Sequence, residues 1–155
     1  TGVMRYAEHA TTKITAAALS NPDADLLARM MAYGKPTTLR LKLDVTNGPE
    51  AESANVIGEI RGSEKPDEIV LLGAHLDSWD MGTGAIDDGA GVGIVSGVGK
   101  LLGDLKQRPK RTIRVVLFAN EENGLYGAKA YAVLHKDELP KHLIGAESDF
   151  GAGRV

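Results

Sequence analysis

Hydrophobic and polar residues follow three rhythms along this chain. Leu26, Leu27, Met30 and Met31 recur at helical spacing. Ser20 precedes them as a cap, Pro22 sits near the first helical position, and Asp23 and Asp25 bring acids to the first turn, so a helix starts here and Gly34 stops it. Leu39, Leu41, Leu43 and Val45 then alternate with Arg40, Lys42 and Asp44, the period of a strand with one wet face. Asn47-Gly48-Pro49 reads as a turn and residues 54–60 as a returning strand, which predicts an antiparallel hairpin.

The third rhythm is nearly continuous. Residues 69–74 and 113–119 are apolar runs of the kind buried on both faces in a central strand, and residues 143–146 make a shorter one. Helical stretches over 89–105 and 125–135 separate them, so the order is strand, helix, strand, helix, strand. The expected fold is α/β, a three-layer sandwich around a mixed, mostly parallel central sheet. Eight of the 19 glycines lie between Gly82 and Gly103. Gly89, Gly93 and Gly97 stand four apart, which predicts a bare helix face lying close to the sheet.

Composition narrows the function. The net charge is −3 with basic residues scattered, which excludes the cationic stripe that nucleic acid requires. The apolar runs fall far short of the roughly 20 residues of a membrane span. There is no cysteine, so any metal must be held by His, Asp or Glu. The length of 155 residues suggests one globular unit. The start, Thr1-Gly2-Val3, lacks both an initiator Met and an export signal, as expected of a processed or excised piece whose own compartment signal is missing.

Ligands of open α/β sheets bind beyond the carboxyl ends of the central strands. Acidic residues gather there: His75-Leu76-Asp77 after the first run, Glu121-Glu122 after the second, Glu147-Ser148-Asp149 after the third, and Asp87-Asp88 opening the first helix. Two apart on a strand, His75 and Asp77 share a face, so the carboxylate can accept the second ring N–H of a metal-bound imidazole. Asp87 and Asp88 are placed as caps, yet the flexible approach from Asp80 to Ala85 folds them toward His75, where a carboxylate could bridge two cations. Glu121 and Glu122 point in opposite directions from an extended backbone, so one suits a metal and the other a general base. Asp149 completes a set suited to zinc, with Glu147 on the same face as its competitor. His9, His135 and His142 lack comparable neighbours. Phosphate-loop and dinucleotide fingerprints both fail at Ile94.

Four ordered motifs carry a resemblance: Gly73-Ala74-His75-Leu76-Asp77-Ser78-Trp79, Gly84-Ala85-Ile86-Asp87-Asp88-Gly89-Ala90-Gly91, Phe118-Ala119-Asn120-Glu121-Glu122-Asn123-Gly124-Leu125-Tyr126-Gly127 and Glu147-Ser148-Asp149-Phe150-Gly151. Together the chain resembles the co-catalytic zinc exopeptidases, which include bacterial secreted aminopeptidases and glutamate carboxypeptidases. The resemblance implies two zinc ions per complete site. His75 and Asp149 would ligate one, Glu122 the other, and Asp87 would bridge them. Glu121 would be the general base and Asp77 the partner of His75. It also implies a cis Asp87–Asp88 peptide bond and a further His ligand downstream of the Asp149 position, beyond Val155.

By the same resemblance, residues 1–34 are the tail of a preceding or inserted protease-associated-like segment, and residues 35–155 the N-terminal half of a catalytic domain. The expected activity is hydrolysis of dipeptides or peptide termini by metal-activated water, in a secreted or periplasmic setting. The fragment itself is expected to hold at most one zinc, and its open edges to be covered by self-association or by a C-terminal half. The alternatives are a non-catalytic binding or scaffold domain on the same fold, or a single-zinc acyl-transfer enzyme of glutaminyl cyclase type.

Overall fold

The structure, a computed structural model, describes residues 9–12, 14–44, 46, 48–79 and 82–149. Where the length suggested one unit, the chain divides into two compact ones, Thr1–Glu50 and Ala51–Val155.

The first unit holds α1, Asn21–Ala32. Its start follows the sequence signals: the Ser20 hydroxyl accepts from the Asp23 amide at 3.3 Å, Pro22 sits in the first turn, and Gly34 leaves the helix at a φ of 70°. No residue of α1 is buried. Residues 39–44 form no strand, contrary to the expected hairpin. Alternation marks a face but names no partner, and the strand expected to return takes a different one. Val45 and Asn47, which would end that hairpin arm, lie outside the described residues.

The second unit is built on a four-stranded sheet of β1 (Val56–Ile60), β2 (Lys65–His75), β3 (Arg111–Phe118) and β4 (His142–Glu147), in the order β1-β3-β2-β4. β2 runs parallel to both neighbours, and β1 closes the other side antiparallel to β3. Helices α2 (Gly89–Gly103) and α3 (Tyr126–Leu134) make the two parallel crossovers. On α3, Tyr131 packs against Val116 and Phe118, with its ring edge-on to Phe118. On α2, Gly99 lies against the Val115 side chain. Successive strand residues face opposite ways, so α2 and α3 cover opposite faces and the fold is the expected layered α/β sandwich.

Two details depart from the sequence reading. Gly93 and Gly97 face open space, and the α2 glycines that approach other groups closely are Gly89, Gly91 and Gly99. The buried side of α2 runs through Gly91 and Val95, about half a turn from the predicted stripe. Arg114, inside the apolar run of β3, is buried yet fully engaged. It donates to Glu59 at 2.8 and 2.9 Å, to the Tyr131 hydroxyl at 2.8 Å and to Glu138 at 2.7 Å. His142 and His135 join this network through Tyr131 and Glu138, as packing groups rather than site residues.

Candidate metal centre

The site forms where β2, β3 and β4 release the chain at their carboxyl ends. β2 stops at His75, whose amide donates to Asp88 at 3.0 Å. The other Asp88 oxygen caps α2 by accepting from the Gly91 amide at 3.1 Å, so one buried carboxylate locks the strand end to the helix start. The Gly89 amide donates to Gly84 at 2.7 Å, closing the segment back on itself. Gly84 has a φ of 63° and no room for a Cβ beside Ser78, so glycine is required at that turn. The Asp87–Asp88 peptide bond is cis, as the resemblance implied.

β3 ends at Phe118, and the chain turns at Asn120 with a φ of 51°. Glu121 and Glu122 therefore leave from a turn, not from the extended strand end the sequence suggested. Asn55 braces this bend, accepting from the Ala119 amide at 3.0 Å and donating to the Gly127 carbonyl at 2.8 Å. Nothing in the sequence marked Asn55, because its partners lie 64 and 72 residues away. Beyond β4 the Ser148 amide still bonds Gly73 at 2.8 Å, which carries Asp149 alongside β2.

His75 is the centre of the cluster. Its Nδ1 lies 2.9 Å from the Asp77 carbonyl oxygen, and its Nε2 lies 3.1 Å from Asp87 Oδ1 and 3.6 Å from Asp149 Oδ1. A carbonyl only accepts, so Nδ1 carries the hydrogen. The neutral ring then turns the Nε2 lone pair toward two carboxylates, an arrangement that is stable only with a cation or a proton between them. Donor atoms of His75, Asp87 and Asp149 all fall within 4.8 Å of one another, close enough to share one ion. Asp77 was expected to orient His75 through its carboxylate. That oxygen is 3.8 Å away, and the short contact belongs to the backbone carbonyl instead.

The surrounding charge suits a cation. Burial works to lower the His75 pKa, but the Asp77 carbonyl and the charges of Asp88, Glu121 and Asp149 outweigh it and hold it above its ordinary value. Burial, reinforced by Asp149, Asp77 and Asp87 against His75, pushes the Glu121 carboxyl up. Glu122 is raised by burial and then by Asp87, although a hydrogen bond from Trp79 pulls the other way. Its Oε1 is buried with no hydrogen-bond partner among the described residues, an orphan that a cation would satisfy. Glu122 stands outside the three-residue group, as does Glu147, whose carboxyl is raised by partial desolvation and by Glu121. With only nitrogen and oxygen donors, the cluster fits a borderline or hard divalent ion such as zinc.

An open mixed sheet with a His–carboxylate cluster at its parallel strand ends defines an α/β protein with a candidate metal-binding site. The sequence model described as Peptidase family M28 matches residues 55–150. Carboxypeptidase Q of Xenopus laevis is 42% identical over 147 residues, which are 95% of this chain and 31% of that protein. The crystal structure of a Peptidase M28 precursor from Shewanella amazonensis superposes with a TM-score of 0.93 at 59% identity, covering 99% of this chain and 35% of that one. An aminopeptidase from Aneurinibacillus matches 62% of this chain and 24% of its own at 29% identity and a TM-score of 0.57. The chain belongs to peptidase family M28 and spans about a third of the length of the curated relatives it matches. Among the described residues, no helix is long and apolar enough to cross a membrane.

Proposed function

We propose that the protein carrying this chain is a zinc-dependent exopeptidase that hydrolyses dipeptides or peptide termini. The observation that carries the reading is the His75 ring, whose Nδ1 is committed to a carbonyl while Nε2 faces Asp87 and Asp149. His75, Asp87 and Asp149 would hold one zinc, and Asp87 with the orphaned Glu122 oxygen would serve a second. When bound, zinc supplies an activated water nucleophile and positive charge for a developing oxyanion.

The chain's own residues do the rest. Glu121, its proton affinity raised first by burial, takes a proton from the attacking water and returns it to the leaving amine. Asp88 fixes the His75 backbone, and the Asp77 carbonyl fixes the ring tautomer. Residues 35–155 are read as the N-terminal half of the catalytic domain, and residues 1–34 as the tail of a protease-associated-like segment. The matched region, residues 55–150, falls inside the first of these. A secreted or periplasmic setting is part of the same proposal.

Zinc analysis of the purified full-length protein, combined with a dipeptide panel, tests the proposal. Two zinc ions per chain, with hydrolysis lost to a chelator and restored by zinc, are expected. Full hydrolysis by metal-free protein, or none by zinc-loaded protein, refutes it.

A further inference from the structure

The β2–β3 ladder continues one step past the strands, with the Leu76 amide donating to the Phe118 carbonyl at 2.7 Å. There it breaks, because the left-handed turn at Asn120 swings the following backbone out of register. The amides of Glu121 and Glu122 consequently have no strand to bond. Asp77 replaces it: Oδ1 accepts from the Glu121 amide at 2.8 Å and Oδ2 from the Glu122 amide at 3.2 Å. Each carboxylate oxygen takes one of two consecutive N–H groups, a fork that only a two-acceptor side chain can make. The same turn is closed on its far side by bonds from the Gly124 and Leu125 amides to the Glu121 carbonyl, both at 2.8 Å.

We infer that Asp77 is a positioning residue for the Glu121–Glu122 pair, acting through their backbone amides rather than through the His75 ring. The inference rests on the proposed roles of Glu121 and Glu122. Their side chains must leave one short turn toward different tasks, so a small rotation of that turn displaces both. Clamping both amides removes the rotation before substrate arrives. The His75 ring does not need the Asp77 side chain, since its Nδ1 already bonds the backbone oxygen.

Residue-resolved amide hydrogen exchange on the full-length protein is the direct test. In the wild type, the Glu121 and Glu122 amides should exchange at least about tenfold more slowly than open-turn amides, although neither lies in a helix or strand. Exchange at open-turn rates overturns the inference without any variant. Asp77→Asn retains one acceptor and presents an N–H₂ to the other amide, so one of the two should lose its protection while β3 and α3 keep theirs. For a dipeptide that the wild type cleaves, kcat should fall about 10–100-fold, with KM within about twofold and zinc at His75 retained. Unchanged exchange at both glutamates together with lost zinc would instead mean that Asp77 works through His75. If Glu121→Gln still turns over, the proposed function fails, and the exchange result still decides whether the clamp exists.

Discussion

His75 Nε2 lies 3.1 Å from Asp87 Oδ1, and the ring's other nitrogen is already committed to the Asp77 carbonyl. Without a cation, that contact needs a proton on a second ring nitrogen, which the raised His75 pKa allows. In the proposed function, zinc and a proton would compete for that one position. Asp87→Asn keeps the shape of the side chain but removes its charge. Zinc affinity should fall on the order of 100-fold or more, read by competition with a chromogenic chelator. Unaltered zinc affinity would show that Asp87 does not bind the ion.

The adjacent glutamates should separate cleanly. Glu121→Gln preserves size and hydrogen-bonding atoms but not basicity, so kcat should drop about 10²–10⁴-fold while zinc content stays at the wild-type level. Glu122→Gln should instead lower zinc content, because the buried Oε1 has no other partner among the described residues. Metal analysis and single-turnover kinetics on the two variants check the assignment. Zinc loss from the first variant and none from the second would exchange the roles.

Much of this site is legible in the sequence because its parts are local. A strand end, a helix start and a Glu-Glu pair each sit within a few residues of their own motif, and parallel topology brings the ends together. What escapes is long-range bracing. The link from Asp77 to the Glu121 and Glu122 amides spans 44 and 45 residues, and that from Arg114 to Glu59 spans 55. Pairing of β1 with β3 was missed for the same reason, since alternation predicts a strand but not its neighbour. The glycine stripe failed differently. Small residues at helical spacing permit a close approach, but apolar neighbours such as Val95 decide which face is buried.

At the opposite ends of the strands, Arg114 foremost and then His135 hold the Glu138 carboxyl at about 2, below its ordinary 4.5. A folded-state pKa below the unfolded one adds stability that is complete above the unfolded value and disappears as pH falls toward the folded one. Glu138→Gln should therefore be less stable than the wild type at neutral pH. The gap should close as the medium is taken down through about pH 4.5 toward about pH 2. Because Glu138 is 40% exposed, solvent screening keeps the effect modest. Urea midpoints measured across that range read it directly, and a constant gap would show that the ion pair contributes nothing.

Two glycines of α2 should respond oppositely to the same added methyl group. At Gly93 a Cβ meets nothing within 4 Å, and the residue is exposed within the helix. Alanine there limits the unfolded chain and should stabilise the protein by about 0.5–1 kcal/mol. At Gly91 the same Cβ would run into the Asp88 carboxylate and the Ser148 carbonyl. Neither can withdraw freely, because Asp88 holds the His75 amide and the Gly91 amide, and Ser148 is tied to Gly73. Gly91→Ala should cost about 1–3 kcal/mol through overpacking. It should also weaken zinc binding, since relief requires moving the backbone beside His75 or Asp149. Thermal unfolding of both variants with zinc and with chelator gives the comparison. Equal behaviour of the two substitutions would mean that Gly91 is not the point where helix and site press together.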